Sequence, residues 1–259
     1  MTRSPVRIAV AGGLGRMGRA VADTIAERGE AAFVGAFDRE PGAGLISRTT
    51  ALADADVVVD FTQGAASAAL ALACAEVGRP ALVIGSTGFT AAEEGAIRAA
   101  AERLAIVKSG NFSLAVNVLL GLVRQAAAAL PAALYDIEIF EAHHRRKVDA
   151  PSGTALMLGA AAAEGRGAAL AKLEVRSRDG LVGARVEGQI GFSVMRGGGL
   201  VGEHEVAFAG ENEILTLSHS ARDRRLFARG AVEAALFVAG RPPGLYDMQD
   251  VLGMRRADA

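Results

Sequence analysis

Cysteine is nearly absent, with Cys74 the only one in 259 residues, and tryptophan is missing altogether. A single cysteine excludes an intramolecular disulfide and any zinc site built on a cysteine cluster. Lying in the apolar helical stretch Ala65–Val77, it reads as an inert core thiol. Histidine is also scarce, at four residues, and no metal site is expected. No apolar run is long enough to span a bilayer. The opening Met1-Thr-Arg-Ser-Pro5 leads straight into a strand and leaves no room for a signal peptide, so a cytoplasmic protein is expected. A net charge of −1 gives no electrostatic case for a nucleic acid or an anionic membrane surface as partner. What remains is a chain long enough for one large domain or two modest ones.

The first half alternates strands and helices. Val6–Ala11 has the apolar, β-branched character of a buried parallel strand. Gly12-Gly-Leu-Gly-Arg-Met-Gly18 follows, then a helical stretch over Arg19–Arg28 and a second strand over Ala32–Phe37, ending at Asp38-Arg39. Glycines at the first turn of a βαβ unit, with an acid about twenty residues further on, point to dinucleotide binding. They permit a tight turn, close approach to a pyrophosphate and close helix–strand packing, while the acid bonds a ribose hydroxyl. Leu14 stands where the commoner fingerprint has its second glycine, which leaves the close approach to Gly13. Further strands are expected at Asp56–Thr62, Ala81–Ile84 and Ala105–Lys108, with helices over Ala65–Val77 and Ala91–Arg103. The turns Gly85-Ser86-Thr87 and Ser109-Gly110-Asn111-Phe112 lie at carboxyl ends of strands, where open α/β sheets bind ligands. Thr62 and Gln63 end another strand and are candidate nicotinamide contacts.

After the long apolar helix Leu114–Leu130 the pattern becomes strand-rich: Tyr135–Glu141, Leu173–Arg178, Gly188–Val194, Gly202–Ala209 and Glu213–Ser220, with one clear helix at Thr154–Ala163. This is an α+β domain with a mixed or antiparallel sheet. Arg196-Gly-Gly-Gly199 reads as a mobile loop or hairpin turn, and Gly210–Glu213 as a turn between strands. A last helix spans about Arg224–Ala239. The stretch that organises the whole chain is Glu141-Ala-His-His-Arg-Arg-Lys-Val-Asp-Ala-Pro-Ser-Gly-Thr-Ala155. It joins a strand end, a basic loop and a helix start capped by Ser152. Backbone N–H groups at such a helix start bind a carboxylate, and histidine and lysine supply protons. Glu141 and Asp149 flank the basic residues and read as groups that orient them by ion pairing. His204 and His219, in strand-like segments, read as structural or surface histidines, and Arg222, Arg224 and Arg225 as a solvated helix start.

Three stretches, Gly12–Gly18, Ile84-Gly-Ser-Thr-Gly-Phe89 and the His-His-Arg-x-Lys-x-Asp-Ala-Pro-Ser-Gly-Thr run, together resemble the dihydrodipicolinate reductase (4-hydroxy-tetrahydrodipicolinate reductase) family of lysine and diaminopimelate biosynthesis. The likeness extends to Gly191-Phe192, Val201–Glu205 and Gly244–Leu252. It implies hydride transfer from NADH or NADPH to a cyclic unsaturated dicarboxylate, giving tetrahydrodipicolinate. His143 and Lys147 then match the family's catalytic residues. His144, Gly153 and Thr154 match its substrate contacts. Gly12, Gly13, Leu14, Gly15, Arg16, Met17, Asp38, Arg39, Gly85, Ser86, Thr87, Ser109, Gly110, Asn111 and Phe112 match its cofactor-binding segments. It also implies an N-terminal Rossmann-like domain (1–113), a substrate-binding and oligomerisation domain (114–223), and a helical segment (224–259) returning to the first. A homotetramer assembled through the second sheet is implied as well. The stretch between Asp38 and Asp56 is shorter than in many members, which touches only the adenine side.

Asp38 favours NADH through a free 2′-hydroxyl, whereas Arg39, with Arg16, suits the 2′-phosphate of NADPH. Use of both is expected. His143 is suited to proton transfer near neutrality without a shift, and Lys147 becomes suited if cationic neighbours such as Arg145 and Arg146 lower its pKa. Which of the two gives the proton is open at this level. A different nicotinamide enzyme on the same two-domain plan, or a dinucleotide sensor without turnover, are the competing readings. Neither gives a reason for the paired histidines beside Ser-Gly-Thr.

Overall fold

A computed structural model describes residues 4–40 and 42–254; the ends of the chain and Pro41 lie outside it. The described chain forms two compact units. One runs to Leu114 and resumes at Arg225, and the other is Ala115–Arg224.

The first unit contains β1 (Val6–Ala11), α1 (Arg16–Ala26), β2 (Ala31–Phe37), α2 (Arg48–Asp54), β3 (Val57–Asp60), α3 (Gly64–Val77), β4 (Ala81–Ile84), α4 (Ala91–Ala101) and β5 (Ala105–Lys108). Its six-stranded sheet is completed from the other end of the chain and has the order β11-β5-β4-β3-β1-β2, where β11 is Gly244–Tyr246. All its pairings are parallel. Successive residues point to opposite faces, and the strands are apolar nearly throughout, so both faces of the sheet need helices to cover them. Ile8 and Val10 of β1 pack with Val21 and Ile25 of α1 and with Ala231, Val232 and Ala235 of a late helix. Ala9 and Ala11 face the other way, towards Ala51 of α2, Leu70 and Cys74 of α3 and Ile97 of α4. Because β2 and β3 flank β1 on opposite sides, the strand order reverses there. That is where such sheets bind ligands.

The second unit holds most of α5 (Leu114–Ala129), then β6 (Asp136–His143), α6 (Gly153–Gly165), β7 (Glu174–Val175), β8 (Ile190–Arg196), β9 (Gly202–Ala209) and β10 (Ile214–Ala221). Its sheet runs β10-β9-β6-β8-β7 and is mixed, with β6, β7 and β8 parallel and β6, β9 and β10 antiparallel. Ile137, Ile139, Val206 and Phe208 on one face close a core with Leu119 and Val123 of α5 and Ala155 and Leu158 of α6. The chain then re-enters the first unit as α7 (Arg225–Val238), β11 and α8 (Met248–Val251).

Two expectations need correction. The strand expected over Leu173–Arg178 shrinks to Glu174–Val175, because Arg178 leaves the sheet and forks onto Glu138 at 2.8 and 3.0 Å. Of the two readings of Arg196–Gly199, the structure has the loop and not the hairpin turn, since β8 and β9 lie on opposite sides of β6; the hairpin is Gly210–Glu213, where the Gly210 N–H donates to the Glu213 carbonyl at 2.9 Å. The elements α2, β11 and α8 were not expected from the sequence.

Candidate active site

At the end of β1 the chain turns through Gly12, whose φ of +79° lies in the left-handed region. The Gly12 N–H donates to the Phe37 carbonyl of β2 at 2.9 Å. A Cβ on Gly13 would sit 2.5 Å from that of Ala36, and one on Gly18 2.2 Å from the Gly12 carbonyl oxygen. The turn is therefore pressed against β2 and α1 so closely that only glycines fit. Asp38 accepts from the Leu14 N–H at 3.1 Å and from the Arg39 N–H at 2.8 Å, so its carboxylate borders the turn. Helix α1 starts at Gly15 with no side-chain cap, which leaves backbone donors facing an anion site. The cradle and uncapped helix fit a dinucleotide pyrophosphate. Arg16 and Arg39 are exposed beside it, while Met17 packs against the core.

The neighbouring turn follows β3. Asp60 is fully buried, and its Oδ1 accepts from the Thr62 N–H at 2.8 Å and from the Thr62 hydroxyl at 2.6 Å. Burial pushes its carboxyl up, against the bonds from Thr62 and Ser67. A cavity of about 470 Å³ opens between this turn and the one after β4, lined among others by Thr62, Gln63, Gly85, Ser86 and Thr87. Ser86 shares a hydrogen bond with the buried Ser67 hydroxyl at 2.7 Å. Gly85 leaves no room for a side chain, because a Cβ would lie 2.2 Å from the Phe61 ring. In the turn after β5, Asn111 Oδ1 accepts from the Ser113 N–H at 2.8 Å, and the Ser109 hydroxyl donates to the Asn111 carbonyl at 2.7 Å. Gly110 completes that turn. The Phe112 ring is core, edge-on to Phe61 at 5.7 Å.

In the second unit the chemistry gathers at the carboxyl end of β6. Glu141 and His143 lie two residues apart, so both side chains project from the sheet face that carries Ile137 and Ile139. Strand register adds their neighbours: β8 places Arg196 beside His143, and β9 places His204 beside Glu141. Glu141, 1% exposed, is the hub. It accepts from the two Arg196 Nη groups at 2.7 Å each, from the Ser152 N–H at 2.8 Å and from His143 Nδ1 at 2.6 Å. Burial alone would raise its carboxyl, but bonds from Arg196, His143 and Ser152 outweigh that and hold it below the usual range. An ionised carboxylate only accepts, so His143 carries its proton on Nδ1 towards Glu141.

Ser152 caps α6, its hydroxyl accepting from the Ala155 N–H at 3.2 Å, and also meets His204 Nε2 at 3.2 Å. The capped end leaves Gly153 exposed and Thr154 half-buried. Burial first, and the neighbouring His143 ring next, lower His204 to about 4; its ring stands edge-on to His143 at 5.2 Å. Lys147 pairs with Asp149 at 2.9 Å rather than standing among Arg145 and Arg146, which point to solvent. His144 is held below its usual pKa by burial and by the charges of Arg146, Arg224 and His143. The Arg224 guanidinium donates to its Nε2 at 3.1 Å. Sequence reasoning missed Arg196, hidden in a glycine-rich connection, and Arg224, set aside as helix-start charge. The arginine triplet Arg222, Arg224 and Arg225 was the available signal for the second.

Comparison with known proteins gives a consistent result. The family model described as "Dihydrodipicolinate reductase, N-terminus" matches residues 6–112, and "Dihydrodipicolinate reductase, C-terminus" matches 115–252. A 4-hydroxy-tetrahydrodipicolinate reductase of Caulobacter vibrioides is 63% identical, covering 97% of this chain and 99% of that protein. One from Dinoroseobacter shibae is 50% identical, covering 95% and 98%. Among solved structures, the dipicolinate-bound dihydrodipicolinate reductase from Paenisporosarcina sp. TG-14 superimposes with a TM-score of 0.78 at 23% identity, over 95% of this chain and 98% of that one. At that identity the likeness speaks for the fold.

Proposed function

The chain belongs to the dihydrodipicolinate reductase family of NAD(P)H-dependent 4-hydroxy-tetrahydrodipicolinate reductases, and we propose that it divides the reaction between its two units. Residues 1–113 and 224–259 form the dinucleotide-binding domain, and 114–223 the substrate-binding domain. Gly12 to Met17, Asp38, Arg39, Gly85 to Thr87 and Ser109 to Phe112 hold NADH or NADPH, largely through main-chain groups. When bound, the reduced nicotinamide supplies a hydride to a ring carbon of the unsaturated dicarboxylate. The chain's own task is then to hold two carboxylates and to deliver a proton as electrons move to the ring nitrogen. Gly153 and Thr154 at the α6 start bind one carboxylate through N–H groups and a hydroxyl. His144, with Arg224 beside it, and Lys147 supply the remaining polar and positive contacts. His143 and Lys147 are the proton-transfer groups.

The observation that carries this reading is that Glu141 bonds both His143 and the Ser152 N–H at the α6 start. The site is tested by measuring turnover and cofactor affinity in His143→Ala and Lys147→Ala. Loss of the true donor costs roughly 10²–10⁴-fold in rate, with NADH affinity unchanged. Wild-type turnover in both variants would reject these roles. Asp38 beside Leu14, with Arg16 and Arg39 exposed next to it and Arg39 paired with exposed Glu40 at 3.4 Å, supports use of both cofactors; inability to use either one would overturn that. A homotetramer fits the outward face of the second sheet, where Phe140, Met195 and Ile214 are 40%, 48% and 65% exposed, and sedimentation measures it. A cytoplasmic setting fits this chemistry, and among the described residues no helix is long and apolar enough to cross a membrane.

A further inference from the structure

We propose that Glu141 is the positioning residue of the reaction, one carboxylate that locks the His143 imidazole and the start of α6 into a single geometry. The proposal rests on His143 and Gly153–Thr154 serving as proposed above. Its basis is a valence count. The two carboxylate oxygens of Glu141 receive four hydrogen bonds: Ser152 N–H and Arg196 Nη2 on Oε1, His143 Nδ1–H and Arg196 Nη1 on Oε2. Each oxygen thus bonds one arm of the guanidinium and one functional element. Arg196 is tied down in turn by the carbonyls of Met195 and Asp149, at 2.8 and 2.7 Å. The carboxylate therefore cannot rotate to favour one partner without breaking bonds to the other.

Two consequences follow for the chemistry. With Nδ1–H committed to Glu141, Nε2 is the nitrogen of His143 left for proton transfer. Nε2 lies where a Cβ on Gly202 would come within 3.1 Å, so the start of β9 is bare beside it. The ionised Glu141 is balanced by Arg196, so it orients the imidazole without placing an uncompensated charge beside it. The ring against that of His143 is His204 of β9, edge-on at 5.2 Å, which burial keeps neutral near pH 7.

Glu141→Gln preserves shape but offers one accepting oxygen where four donors need two. The test compares wild type, Glu141→Gln and His143→Ala in steady-state kinetics with the dicarboxylate substrate, NADH binding by calorimetry, and nitrogen-15 NMR of the histidine side chains. For Glu141→Gln the expected result is a kcat roughly 10²-fold lower, at the low end of what a positioned acid or base contributes. A several-fold rise in substrate KM accompanies it, with unchanged NADH affinity and a mixed His143 tautomer in place of a single Nδ1–H form. If His143→Ala is inactive while Glu141→Gln keeps wild-type kcat, KM and tautomer, the positioning role is overturned and the His143 assignment stands. If His143→Ala turns over normally, the underlying assignment falls and the proposal with it. Should Glu141→Gln not fold, the double variant Glu141→Gln/Arg196→Met removes the unpaired cation and is read by the same measurements and outcomes.

Discussion

Replacing Gly230 by alanine sets helix propensity against packing, and the structure decides which wins. Gly230 lies inside α7, where alanine is intrinsically better than glycine by about 0.8–1 kcal/mol. A Cβ there, however, would come within 1.6 Å of the backbone carbonyl oxygen of Phe112 and 2.8 Å of its carbon. Carbon–oxygen contacts of this kind sit at about 3.3–3.6 Å, so α7 or the Phe112 turn must retreat by more than about 1.5 Å. Neither can do so freely. Ala228, Ala231, Val232 and Ala235 of α7 are fully buried against the parallel sheet, and Phe112 is core and ends the turn after β5. Overpacking of this kind costs typically 1–3 kcal/mol and occasionally more, which exceeds the propensity gain. Gly230→Ala is therefore expected to lower stability, by up to about 2 kcal/mol net, and to weaken NADH binding. Gly95, in the exposed face of α4 with nothing within 4 Å of its would-be Cβ, is the control. There the same substitution should add about 0.8–1 kcal/mol. Urea unfolding of both variants, with NADH titration, makes the comparison. Equal stabilisation by the two substitutions would refute the packing argument.

Two further predictions concern titrating groups. His204 has a folded-state pKa of about 4 against roughly 6.5 in an unfolded chain. The unfolded chain therefore binds a proton that the folded one refuses, and stability is lost as pH falls from about 6.5 towards 4, on the order of 3 kcal/mol at full effect. Unfolding free energies for wild type and His204→Gln across that range should show the steeper loss in wild type; identical slopes would contradict it. Burial pushes the Cys74 thiol up to about 12, and its side chain is enclosed in the α3 core. A disulfide-exchange reagent should leave it untouched in the native protein and modify one thiol per chain in denaturant. Rapid native labelling would place the thiol at the surface.

How far the sequence led depends on whether the governing contacts are local. The β1–α1 turn was legible because its glycine spacing, the flanking strand and Asp38 all fall within one βαβ unit. The cap at Ser152 was legible for the same reason, a hydroxyl just before an apolar run. Arg196 was not, because its partnership with Glu141 depends on the parallel pairing of β6 with β8, which no local signal encodes. His204 comes beside Glu141 only through the antiparallel register of β9. Arg224 is remote in sequence from His144, and its role emerges only once β10 ends near the basic loop. The strand β11 was missed because three residues between Pro242-Pro243 and Asp247 carry too little pattern; it exists because the edge of β5 offers a parallel partner at Ala105–Val107. Lys147 shows the reverse case. Its sequence neighbours suggested a cationic surrounding, yet the folded loop turns Arg145 and Arg146 outward and gives it Asp149.

The most direct test of the central claim follows one atom. Substrate is generated in place from pyruvate and aspartate semialdehyde by the preceding synthase, and the purified protein is supplied with NADH carrying deuterium at the transferable C4 position. Mass spectrometry of the product is expected to find one deuterium on a ring carbon of tetrahydrodipicolinate, formed in step with nicotinamide oxidation and lost in His143→Ala and Lys147→Ala. Cofactor oxidation with no deuterium in the product, or no turnover by folded protein that binds NADH, would contradict the account.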